Sequence, residues 1–349
     1  MNRRQLIRSL VGASVLPVFG LSPSAAASPA SEPAGQARII LPPHCELPFS
    51  PGSRSSFEHR LGRAVLQFIE DNYSGRRLPI WRKRPDEIDL EKRVVNIVYW
   101  VVRGVERNQS TYSVDPVWIM AQIMTESFFY EFAVSWAFAV GVCQFIPRTA
   151  EHYGMTTAST SALSPARLEK AELAGELERY LGLSKKRKRL WRQHRSLFRS
   201  RDKVLRQALE AADRGERMTR ARAYLQALDE ADRLYQAIGQ ARDNYRGFLQ
   251  ANFEGRSIFN RNDLRFLSDF DERVLYAKPI SAMTRIMARH LKARNGNILA
   301  ATAGYNAGLG RTRYRSRIYD RYGRIPAIEE TVNYVSRILI KHHELLQRL

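Results

Sequence analysis

One carboxylate sits where acid chemistry could be done. Glu126 closes the run Asp115-Pro-Val-Trp-Ile-Met-Ala-Gln-Ile-Met-Thr-Glu126, followed by Ser127 and aromatics. Asp-Pro is a helix start, with Pro116 suited to the first helical position. Val117, Met120, Ala121 and Met124 recur at helical spacing, while Trp118, Ile119 and Ile123 fill the other faces. A helix apolar almost all round is a buried one. Burial and the negative end of the helix dipole both disfavour an ionised carboxyl. A carboxyl kept protonated near neutral pH is what a general acid requires. Position alone leaves a second reading, a solvated carboxylate at a fraying helix end.

The elements that would have to position Glu126 lie on both sides of it. Ser135-x-Ala137-x-Ala139-x-Gly141-Val142-Cys143-Gln144 follows, then Ile146-Pro147-x-Thr149-Ala150. Far downstream stand Gly304-Tyr305-Asn306-Ala307-Gly308 and Glu330-Thr331-x-x-Tyr334-Val335. In this order the four segments resemble the catalytic domain of family 1 lytic transglycosylases, related in fold to goose-type lysozyme. Phe138 stands where that pattern has Gly, Val142-Cys143 replaces Leu-Met, and Gly304 replaces Ala. Phe138 is the departure expected to reshape the cleft wall. The matched segments cover about 115–155 and 270–340, roughly a third of the chain.

The resemblance implies an all-α, lysozyme-like catalytic domain acting on peptidoglycan. The bond would be the β-1,4 link between N-acetylmuramic acid and N-acetylglucosamine, and the products 1,6-anhydromuramic acid ends. It implies Glu126 as the catalytic residue, acid then base. Gln144 and Asn306 are expected at acetamido or hydroxyl groups. Tyr305 is expected close to Glu126, helping to set its protonation. Ser127 is expected at the acetamido group, as a brace of the neighbouring loop, or as a cap. Glu330 is a further cleft contact or a surface carboxylate. No second carboxylate occupies an obvious partner position in the motifs, which points to assistance by the substrate's own acetamido group. Two alternatives stay open: a goose-type muramidase that admits water, and a non-catalytic glycan-binding assembly protein.

The chain has 349 residues, 44% of them apolar, and a net charge of +21. That allows a sizeable core with an accessory part, and predicts anionic partners. No zinc spacing or nucleic-acid reading motif is visible, so nucleic acid is not expected. The seven histidines are scattered, and neither a metal nor a cofactor is predicted. Cys45 and Cys143, the two cysteines, could pair or not; Cys143 fits a buried apolar filler.

Residues 1–27 read as a secretory signal: Arg3-Arg4, an apolar run from Leu10 to Leu21, then Ser24-Ala-Ala-Ala27. The start, Asn2-Arg-Arg-Gln-Leu-Ile-Arg8, is similar to a twin-arginine signal, with a general secretory signal as the alternative. Export to the periplasm is the expected localisation. A Pro, Ser, Ala and Gly-rich linker is expected at 28–55. N-terminal helices at 56–112 would pack on a split catalytic domain, 113–155 and 266–349.

The segment 156–265 interrupts that domain. Ser164-Pro165 is expected to open a helix that Gly182 interrupts, and Asp213-Arg-Gly-Glu216 to turn it into a second arm. The stripe Ala223, Leu225, Leu228, Ala231, Leu234, Tyr235 and Ile238 predicts an antiparallel helical hairpin with coiled-coil character. Its first arm carries the unbroken run Lys185 to Arg189, continued to Arg206. The candidate partners of Lys185–Arg206 are anionic wall polymer, a membrane surface or an acidic protein; the alternative is a solvated charged face.

Overall fold

The computed structural model describes residues 39–314, 316 and 320–349. The secretory segment at 1–27 and the start of the expected linker lie outside them. The described part belongs to one compact unit, 37–349. Twelve α-helices and no β-strand occur among the described residues. The described residues are all-α, as the resemblance implies.

Helices α1 (Arg54–Tyr73) and α2 (Leu90–Asn108) each bury one face. On α2 that face is Val94, Ile97, Val98, Val101, Val102 and Val105. Helix α3 (Pro116–Glu126) is buried from Pro116 to Met124. The Asp115 side chain caps it by accepting from Val117 N at 2.8 Å. A short α4 (Pro147–His152) starts at a proline. Helix α9 (Arg261–Phe270) spans the end of the segment 156–265, and α10 (Ala277–Ala293) packs on α2. Helix α11 (Ile298–Ala307) packs on α10, and α12 (Glu329–Leu346) on α3.

Three side-chain bonds lock this layer around α3. Trp118 Nε1 donates to Thr302 Oγ1 of α11 at 3.0 Å. His342 Nε2 of α12 lies 2.6 Å from Asp115 Oδ2. Gln122 Nε2 donates to the Tyr334 hydroxyl at 3.1 Å. Each joins residues more than 180 positions apart, so the downstream motifs reach Glu126 only through the fold.

Residues from Ile39 onward, expected within a linker, lie against the body. Leu41 N donates to Gly296 O and Ser113 N to Pro43 O, and Phe49 stacks beside Phe57 at 5.0 Å. Gly296 tolerates this approach because it has no side chain: a Cβ there would meet Leu41 O at 2.0 Å.

The segment 156–265 holds α5 (Glu176–Gln193), α6 (Arg195–Arg199), α7 (Arg201–Asp213) and the long α8 (Thr219–Phe253). Pro165 opens only a 3-10 turn, and α5 runs through Gly182 without a break. A helical glycine costs about 1 kcal/mol against alanine, and the packing of α5 along α8 outweighs that. The base of α8 enters the main core through Tyr245, Phe248, Leu249 and Phe253.

Candidate active site

Glu126 is the last residue of α3, and the chain turns sharply after it. Ser127 caps the helix, and Phe128 and Phe129 both take left-handed backbone, φ 52° and 64°. Two such residues in succession store strain, about 1–3 kcal/mol each. Complete burial of both rings holds them there. The Ser127 hydroxyl is fully buried and donates to Ile123 O and Val142 O. It braces the following loop and presents no group to a ligand.

Glu126 is half-buried, and burial pushes its carboxyl up to about 7. The neighbouring charge of Glu330 pushes the same way. Opposing them, the Tyr334 hydroxyl donates to Glu126 Oε1 at 2.5 Å and the Lys341 ammonium stands nearby. Lys341 Nζ donates to Met124 O and Thr125 Oγ1, at the negative end of α3. Burial and Arg337 bring Lys341 down to about 8. The result is a carboxyl close to half-protonated at neutral pH, able both to give and to take a proton.

Gln144 belongs to a loop whose backbone reverses several times. Gly141 has φ +83°, and a Cβ there would lie 1.8 Å from Arg273 O. Gln144 itself has φ +49°. Its Nε2 donates to Ala133 O and Gly141 O, which fixes the amide and leaves Oε1 as an acceptor. The loop is held from below by Arg273, buried and paired with buried Asp271 at 2.6 Å. Arg273 Nη1 also donates to Phe138 O at 2.7 Å and Phe145 O at 3.0 Å. Each atom of this buried cation's fork thus has an acceptor, the condition for tolerating such a charge.

Tyr305 and Asn306 lie on the last turn of α11. Gly308, φ +88°, ends it. The Tyr305 hydroxyl donates to Cys143 O at 2.8 Å. It therefore orients the Gln144 loop, and the hydroxyl that holds Glu126 is that of Tyr334. Asn306 is exposed, and its Oδ1 accepts from Thr331 Oγ1 at 2.8 Å, which turns the amide nitrogen outward. Glu330 is exposed on the first turn of α12. The fold thus gathers Glu126, Gln144, Tyr305, Asn306 and Glu330 around one locus, with Ser127 beneath it.

Tyr334 and Lys341 were not singled out as site residues from the sequence. The signal for Tyr334 was the four-residue spacing from Glu330 on one helix face. Lys341, a further seven along, continues that face.

Phe138 does not face the cleft. Its ring is buried and meets Tyr180 of α5 and Tyr245 of α8 edge-on, both at 5.0 Å. Its φ is +62°, a conformation that favours glycine. Beside it, Trp136 is 43% exposed under the guanidinium groups of Arg242 and Arg246 of α8. Cys45 and Cys143 are both free, Cys143 buried. No cluster of metal-ligating side chains occurs among the described residues.

Residues 104–169 match the family model described as "Transglycosylase SLT domain". That span carries Glu126, Ser127, Gln144 and the loop between them. The match supports peptidoglycan lytic transglycosylase activity in general. No curated protein and no solved structure matches the chain.

Proposed function

With an SLT domain at 104–169 as premise, we propose that this protein is an exported lytic transglycosylase. It would cleave the β-1,4 bond between N-acetylmuramic acid and N-acetylglucosamine and leave 1,6-anhydro ends. The observation that carries this reading is the single enclosed carboxyl of Glu126, poised at about 7 and oriented by Tyr334.

Glu126 in its protonated form gives its proton to the glycosidic oxygen as the bond to C1 breaks. The transition state gains oxocarbenium character, as in glycosidases generally. The substrate's 2-acetamido oxygen stabilises C1. The Glu126 carboxylate then takes the proton of the muramic acid 6-hydroxyl, whose oxygen bonds to C1. No water enters the products. Tyr334 stabilises the carboxylate between the two steps. Gln144 Oε1 suits an acetamido N–H, and the Asn306 amide nitrogen suits a carbonyl or hydroxyl oxygen.

Glu330 favours one competing reading. It is a second carboxylate near Glu126 and could activate water, giving a muramidase. Mass spectrometry of the products from purified sacculi separates the two. Anhydromuramic ends from the wild type and none from Glu126→Gln would support the lyase. Products one water heavier would make it a hydrolase. No products from either would move the weight to a non-catalytic assembly role.

A further inference from the structure

The far part of the hairpin takes no part in the chemistry above, yet it carries the most unusual surface of the molecule. Between Lys185 and Arg206 there are eleven Lys or Arg residues and one acid, Asp202. Among the described residues, the ion pair made by this run is Lys186 with Glu230, at 3.2 Å. Arg192, Arg195 and Arg199 are exposed and have no ion-pair partner among the described residues.

The same region exposes apolar side chains. On α7, Val204 and Ala211 face inward, whereas Leu205 and Leu209, one turn apart, are 58% and 64% exposed. Trp191, its ring tilted against Phe198 at 4.1 Å, is 37% exposed. A soluble polyanion answers the cations and leaves these side chains without a partner. An apolar protein groove answers the leucines and leaves the cations unpaired. A bilayer with anionic headgroups answers both, because cations sit at the headgroups while leucine and tryptophan enter the acyl boundary.

We propose that α5 from Lys185 onward, with α6 and α7, forms a docking surface for an anionic lipid bilayer. The inference is independent of the reaction proposed above. The geometry has a consequence for the site. From Tyr245, where the hairpin meets Phe138, to Thr219 at its far end, α8 runs about 39 Å at 1.5 Å per residue. The tip of that surface thus lies about 39 Å along the hairpin from the loop that carries Phe138 and Gln144.

The test is co-sedimentation of the full chain with phosphatidylcholine vesicles, with and without phosphatidylglycerol. Three proteins are compared: wild type, Arg192→Gln/Arg195→Gln/Arg199→Gln, and Leu205→Ser/Leu209→Ser. All five positions are exposed, so the core is untouched, and the apolar run at 10–21 is common to all three. The expected result is salt-sensitive binding that requires phosphatidylglycerol. The charge variant and the leucine variant should each weaken it about 100-fold. Equal binding by all three proteins would overturn the proposal. So would loss in the charge variant with full binding by the leucine variant, which would assign the surface to a soluble polyanion such as wall polymer or nucleic acid. Self-association that the leucine substitutions abolish, with vesicle binding retained, would assign the leucines to a second copy and overturn it equally.

Discussion

The hydroxyl of Tyr334 donates to the carboxylate of Glu126 across 208 positions of chain. This bond opposes the burial that raises the carboxyl, and so sets where the group titrates. Catalysis by a general acid requires the protonated form, so kcat/KM should fall as pH rises through about 7. In Tyr334→Phe the opposing bond is gone. The alkaline limb should move to higher pH, with a lower plateau because the carboxylate loses its donor. Glu330→Gln removes a like charge and should move the limb to lower pH. Rates on soluble glycan across pH for the three proteins check both signs.

Glu126 also costs stability in a defined window. Its carboxyl is raised in the folded chain, so the folded state holds the proton more tightly than the unfolded one. That preference is harmless below the ordinary value of 4.5 and becomes a penalty as pH rises to about 7. Glu126→Gln should therefore be more stable than the wild type at pH 8, by up to about 3 kcal/mol. The gain should shrink towards zero at acid pH. Urea unfolding at both ends of the window measures it.

Arg273, between α9 and α10, holds the loop that carries Gln144. Arg273→Leu would strand Asp271 and two carbonyls in the core. Removing one partner of a buried pair costs about 3–5 kcal/mol. The midpoint of unfolding should fall accordingly. At temperatures where the variant stays folded, KM should rise more than kcat falls, because the Gln144 loop loses its anchor.

Phe138 anchors the hairpin. Phe138→Ala removes a buried ring between Tyr180 and Tyr245 and should cost about 3 kcal/mol. The positive φ is unrelieved in this variant. Phe138→Gly relieves it, so the glycine variant should lose no more than the alanine one. Limited proteolysis should open the α5–α8 base in both before the α3–α12 core.

Much of the architecture was legible in the chain itself. Apolar residues at helical spacing marked α3, because burial leaves a periodic trace, and the N-terminal helices were expected at 56–112, where α2 and most of α1 lie. Asp115-Pro116 announced α3, and the position of Glu126 at its apolar end announced a raised carboxyl. Less legible were the ends governed by competition. Gly182 read as a helix break because local propensity is all a sequence displays, whereas packing on α8 carried α5 through it.

What the sequence alone determined is which residues can do chemistry: one carboxyl on a buried helix, and amides and hydroxyls in motifs scattered over more than 200 positions. Only the tertiary structure decided which groups touch. It gave Glu126 to Tyr334 and put Tyr305 on the carbonyl of Cys143. It sank Ser127 beneath the site and turned Phe138 away from the cleft into the hairpin. The physical reason is that a side chain's direction and its pKa depend on neighbours brought in by packing, and residue type and spacing do not encode those neighbours.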